Sequence, residues 1–214
     1  MSEYKVVTST PQSLSPGAAA VASVNKRGEI IGMPWHVQLG LEGKLFAAMA
    51  GTETAPITLG NTVIDNDQPE FILRVPTGTT VIPLFAQIVL EATGAALFEG
   101  GMAVEDSDPG SGTSTVADQV PTNMKSRGAG STCTARQLVT ANLTQVNLRW
   151  IWRCGEPADL DSAVGGNRFN WTYMDNIPPL LVGPAALMLY AANGTSGTGF
   201  ITLIFAEFAS SGLE

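Results

Sequence analysis

Histidine is nearly missing from this 214-residue sequence, which holds only His36; cysteine is limited to Cys133 and Cys154, and charged side chains make up 14%. A histidine-rich transition-metal site draws two or three imidazoles and a carboxylate onto one ion, and one histidine cannot supply it. A Ser-His-Asp or Cys-His arrangement would have His36 as its only base. Neither STCTA around Cys133 nor WRCGE around Cys154 has the form of a nucleophile motif. His36, beside Trp35, reads as a structural histidine. Two cysteines do not make a disulfide scaffold in a chain of this length, so two reduced thiols are expected.

Positive charge is also scarce. Eleven Lys and Arg stand against nineteen Asp and Glu, a formal net charge of −8. Sequence-independent nucleic-acid binding takes its affinity from cations that neutralise phosphates, and here the densest basic pairs are Lys26/Arg27 and Lys125/Arg127. No strong direct nucleic-acid contact is expected. The phosphate-loop pattern G-x-x-x-x-G-K-[ST] is missing, and neither Gly100-Gly101 nor Gly165-Gly166 fits a strand-to-helix dinucleotide fingerprint. No stretch reaches the ~18 apolar residues of a membrane span, and Met1–Val7 lacks a cationic start with an apolar signal core. The expectation is a soluble product made in the cytoplasm.

What is plentiful is glycine (23), proline (13) and apolar residues (44%). That mixture suits many short strands joined by tight turns. A chain of this length can bury roughly 70% of its extended surface around one core, and single all-β domains commonly reach ~200–250 residues. A weakly charged surface also favours life inside a larger assembly.

Along the chain, residues 1–28 are small and polar, broken by Pro11 and Pro16, and read as an extended N-terminal arm; residues 29–214 then form a single domain. Residues 30–50 hold an apolar run and a possible short helix around Lys44–Met49, ended by Gly51. Glu70–Val75 is a strand closed by Pro76-Thr77-Gly78. Val81–Thr93 is a long strand whose Pro83 suits an edge or a strand start. Residues 105–132 are Gly-, Ser-, Thr- and Asp-rich and read as one long exposed loop, a length uncommon unless the loop binds something or is mobile.

Leu143–Cys154 alternates most clearly. Val146, Leu148, Trp150, Trp152 and Cys154 share one face, Gln145, Asn147, Arg149 and Arg153 the other, with Ile151 as the exception. The runs 185–192 and 200–208 flank an Asn193-Gly194 turn signal and are apolar on both faces. They should be central strands, or strands whose outer face another subunit covers. The tally is all-β, about eight strands in a two-sheet sandwich of the jelly-roll kind.

Three acidic groups could pair for hydrolysis or hold calcium: Asp65/Asp67, Glu105/Asp106/Asp108 and Asp159/Asp161. Each lies in a turn-like context where Asp is favoured for local capping alone, so no catalytic, cofactor-binding or metal-ligating residue is assigned. The N-x-[ST] sequons at Asn142, Asn170 and Asn193 read as chance matches in a Thr-rich chain. Trp150 and Trp152 read as core. Phe169, Trp171 and Tyr173, within NRFNWTYMDN, are the candidate interface anchors.

The succession RVPTGTTVIPLFAQIVLEATG, LTQVNLRWIW and PPLLVGPAALMLYAANGTSGTGFITLIFAEF resembles the single jelly-roll coat proteins of tailless icosahedral viruses of bacteria and archaea. The resemblance covers roughly residues 60–210 and rests on strand order, loop placement and flavour, with no diagnostic site motif. It implies a structural, non-enzymatic virion protein that self-assembles in many copies, alone or with other coat proteins, and resides in the capsid. Some relatives enclose a membrane, and whether this chain touches one stays open. Two alternatives remain: a carbohydrate- or receptor-binding sandwich with an aromatic pocket at Trp171/Tyr173, and a carboxylate-dependent glycan hydrolase.

Overall fold

The structure is a computed structural model that describes residues 34–59, 63–92, 97–110, 112–114, 116–140, 143–155, 168–193 and 197–212. The expected N-terminal arm, residues 1–28, lies outside them. One helix, α1 (Trp35–Glu42), precedes the strands β1 (Leu45–Ala50), β2 (Ile57–Thr58), β3 (Phe71–Val75), β4 (Thr79–Ala92), β5 (Glu99–Glu105) and β6 (Thr122–Asn123). Then follow β7 (Thr134–Gln137), β8 (Arg149–Gly155), β9 (Arg168–Thr172), β10 (Leu181–Val182), β11 (Ala185–Ala192), β12 (Thr198–Ala209) and a 3-10 turn at Ser210–Gly212.

Among the described residues every strand pairing is antiparallel, in two sheets packed face to face. The first sheet runs β10-β4-β12-β1-β6; β9 shares the β10 side of β4, and β2 pairs with β12 beyond the end of β1. The second runs β7-β3-β11-β5-β8. Set aside the short β2, β6, β7 and β10, and the remaining strands interleave as first, eighth, third and sixth in one sheet and second, seventh, fourth and fifth in the other. That winding is the jelly roll.

The core between the sheets is built by alternate residues of each strand. Phe46, Ile88, Leu90, Trp171, Ile201, Leu203 and Phe205 from the first sheet meet Phe71, Leu73, Met102, Leu187 and Leu189 from the second. The long β4–β12 pairing is possible because position 199 is glycine: a Cβ there would stand 2.1 Å from the Val89 carbonyl oxygen.

A second apolar layer explains why β11 is apolar on both faces. Ala186, Met188 and Tyr190 point outward and are covered by the chain's own Ile64, Val139, Leu143, Leu148 and Trp150. The cover is pinned where the Tyr190 hydroxyl donates to the Asn66 carbonyl (2.8 Å) and accepts from Gln145 Nε2 (2.8 Å). Of the two explanations open for β11, central position with self-cover is the one observed.

Four local expectations need correction. The segment read as a helix, Lys44–Met49, is strand β1; its small apolar residues are held by six register partners on β12. The helix lies earlier and ends where Gly43 takes a left-handed φ of +72° and Lys44 N–H bonds back to Leu39 O at 2.9 Å. Pro83 is neither at an edge nor at a strand start: β4 is central, and its proline falls at the register shift where Phe85 and Pro83 oppose Ile204 and Phe205. Residues 143–148 precede the strand proper, with Val146 71% exposed. Finally, a bulge at Ile151 lets Trp150 oppose Ala103 and Trp152 oppose Met102, so the two tryptophans lie on opposite faces, Trp152 toward the main core and Trp150 in the outer layer.

The described residues of 105–132, read as one long loop, are largely exposed yet tied down at several points. Within them β6 pairs with β1, Gln119 bridges Ala135, and Asn123 Nδ2 donates to Gly43 O and Ala129 O, both at 2.8 Å. Glu207 on β12 accepts from Thr132 N and Oγ1, each at 2.9 Å, and from Ser131 Oγ.

Candidate interaction surface

The outer face of the first sheet follows from the registers. With Ala48, Ala86, Ile88, Trp171, Ile201 and Leu203 turned inward, their neighbours must turn outward. Three rows result: Phe200–Val89–Arg168, Met49–Thr202–Gln87–Asn170 and Ala47–Ile204–Phe85–Thr172. Arg168, at the edge, is the only ionisable side chain among them. Met49 is 50% exposed, while Phe85, Val89, Phe200 and Ile204 are each half-buried. Gln87 Nε2 donates to Asn170 Oδ1 (2.9 Å), so the polar part of the face is internally hydrogen-bonded. The result is a surface of apolar and small polar side chains with one cation, Arg168, at its edge. Beyond these rows α1 covers the sheet, with Leu39 packed on the cluster of Leu45, Leu84 and Ala206, which Phe208 also lines.

The expected interface anchors separate. Trp171 is 1% exposed and belongs to the main core; Phe169 points the same way and stacks on Phe98 with ring centroids 4.6 Å apart. Trp171 is enclosed too completely to reach a neighbouring molecule, whereas Phe169 is partly buried. Tyr173 is partly buried, its hydroxyl 3.1 Å from His36 Nδ1 and its ring edge-on to Trp35 at 5.0 Å. The signal for inward packing was present: Phe169, Trp171 and Tyr173 alternate with Asn170 and Thr172 at period two.

The acidic groups are engaged locally. Asp65 accepts from Asp67 N–H and Gln68 Nε2, both at 3.0 Å, within one turn. Asp106 pairs with Arg149 (2.6 Å). Asp108 takes a two-pronged bond from Arg74 (3.1 and 2.5 Å), which holds its carboxyl below the ordinary range and raises the guanidinium in turn. Glu105 is fully buried; both its oxygens accept Asn147 N–H at 3.0 Å, and one accepts Ser107 Oγ at 2.9 Å. Asp159 and Asp161 lie outside the described residues. Among the described residues no three His, Cys, Asp or Glu side chains are grouped to hold a metal ion.

A groove of about 300 Å³ opens beside the Arg74–Asp108 pair, between Pro76, Thr132, Thr134 and Pro184. The thiols of Cys133 and Cys154 are free; burial pushes both up, Cys154 to about 12. Of the sequons, Asn170 is exposed, Asn193 is buried with its Nδ2 donating to Ala92 O (3.2 Å), and Asn142 lies outside the described residues.

The class that fold and surface define is a jelly-roll sandwich whose first sheet turns outward three rows with Arg168 as their single ionisable side chain. The chain matches no family model, no curated protein and no solved structure.

Proposed function

We propose that this chain is the coat subunit of an icosahedral virus shell, assembled from many copies in the host cytoplasm and resident in the virion. The fold alone does not select this reading, because lectin domains and cupins share the jelly roll with capsid proteins. The observation that carries it is the outer face of the first sheet: three rows whose only ionisable side chain is Arg168 at the rim, on a chain of net charge −8. Apolar surface left uncovered on a folded chain marks a contact site, and charge depletion at its centre is what distinguishes an interface core.

The partner of that face is a sister copy, alone or in a mixed shell with another coat protein. No catalytic step is assigned. The glycan-binding alternative required Trp171 to stand in a partly exposed pocket, and a Trp171 that is 1% exposed does not favour it. The test is assembly of the full chain, read by light scattering and negative-stain imaging, against Thr202→Glu, which plants a charge between Met49 and Gln87. Large regular particles for the parent chain and smaller species for the variant are expected; a parent chain that stays monomeric at high concentration rejects the proposal.

A further inference from the structure

A second apolar surface lies at the end of the first sheet that α1 covers. On α1, Trp35, Val37 and Leu41 are 43%, 43% and 48% exposed, and none of the helix's residues is buried. Next to it the chain between β9 and β10 exposes Met174 (72%), Ile177 (95%) and Leu180 (59%), followed by Val182 (56%) on β10 itself.

The two parts are joined. Trp35 meets Tyr173 edge-on at 5.0 Å, and Tyr173 is the residue before Met174. On the other flank Val182 pairs with Thr80, Thr80 pairs with Phe208, and Phe208 packs in the cluster that holds Leu39 of α1. The segment is also held in shape: Asp175 N–H and Asn176 Nδ2 both bond back to Thr172 O, at 3.3 and 3.2 Å. These bonds fix the turn that carries Met174 and leads into Ile177, and Val182 is held by its pairing with Thr80.

Charge is sparse there. Glu42 and Lys44 pair with each other at 2.9 Å, and the Asp175 carboxylate accepts the Thr172 hydroxyl at 2.9 Å.

We infer that this surface, formed by α1 and residues 173–182, is a second contact between copies of the chain, distinct from the bare sheet face. This rests on the shell reading above. Two copies at −8 each repel on average, so they approach at least electrostatic cost where charges are few. A basic partner would instead be met by a cluster of acids, and here Asp175 stands alone beside the Glu42–Lys44 pair. The position completes the argument: this surface borders the Thr79–Leu84 half of β4, and the bare face is built on Phe85–Val89. A subunit with two adjoining apolar surfaces, one on the bare sheet and one on α1 and residues 173–182, can join two different neighbours. That is what a closed shell requires and what a simple dimer does not.

The test compares the full-length parent with Ile177→Asp/Val182→Asp and with the control Ile177→Leu, by light scattering, negative-stain imaging and denaturant midpoint. The expected result is large particles for parent and control, and for the double variant a small oligomer with an unchanged midpoint. Particles of parental size from the double variant would overturn the inference and leave the shell reading standing. A lowered midpoint with unchanged assembly would overturn it by showing that the chain covers this surface itself. A parent that forms only a small oligomer, reduced to monomer by the double variant, would keep the contact and overturn the shell. A monomeric parent would overturn both.

Discussion

Trp150 and Trp152 stand two residues apart on β8 and face opposite sides of the second sheet, because the bulge at Ile151 lets them oppose Ala103 and Met102 in turn. Trp152 packs with the main core, whereas Trp150 lies against Tyr190 at 4.9 Å and beneath the Arg153 guanidinium at 4.4 Å. Trp152→Ala should therefore cost about 3 kcal/mol, the range for removing a large core aromatic. Arg153→Ala should cost about 0.5–1 kcal/mol, the worth of an exposed cation–π contact. Urea unfolding of the two variants checks the difference; equal losses would mean the bulge does not divide the faces.

Glu105 fastens the 143–148 cover over the outer layer. Replacing it with Ala leaves the Asn147 N–H without its acceptor and should destabilise the fold by about 1–3 kcal/mol. Hydrogen exchange at Asn147 should accelerate more than exchange in β12. Uniform acceleration across both would contradict a local fastening role.

Much of the fold was legible in the sequence because period-two patterning and Gly/Pro/Asn turns report directly on sheets with one buried face. The boundaries that failed did so for identifiable reasons. LFAAMA in β1 has residues that suit a helix, and only its pairing with β12, distant in sequence, makes it a strand. The helix before it starts at Pro34 without a side-chain cap, so nothing announced it. One bulge at Ile151 shifted the parity of every residue upstream of it. The outer face of the first sheet was illegible for a deeper reason: which half of each alternation faces solvent depends on partners brought together from four strands.

Both thiols are shielded. Burial raises each pKa, Cys154 to about 12, so the folded chain holds these protons more tightly than the unfolded chain, whose thiols titrate near 9. Their contribution to stability is present below about pH 9 and is lost as pH rises toward the folded values. The expected outcome is slow alkylation of native protein at pH 8 and prompt reaction of two thiols after unfolding. Rapid native labelling of Cys133 would contradict its burial.

Arg74 holds the Asp108 carboxyl below its ordinary value of 3.8. A depressed acid stabilises above its unfolded pKa, and the effect is lost as pH falls through the lower folded value. Both partners are partly exposed, so solvent screening keeps the pair below about 1 kcal/mol. Asp108→Asn should lower the denaturant midpoint slightly at pH 7, with the gap closing below pH 3.8. A gap that persists at pH 2 would show that the loss is not electrostatic.

The central claim is that sister copies complete the outer face of the first sheet, and amide hydrogen exchange on the purified full-length chain, across a dilution series, tests it most directly. Slowed exchange in β1, β4 and β12 at high concentration, relieved on dilution and absent in Thr202→Glu, is the predicted result. Exchange in these strands that is independent of concentration, with the chain monomeric throughout, would contradict it.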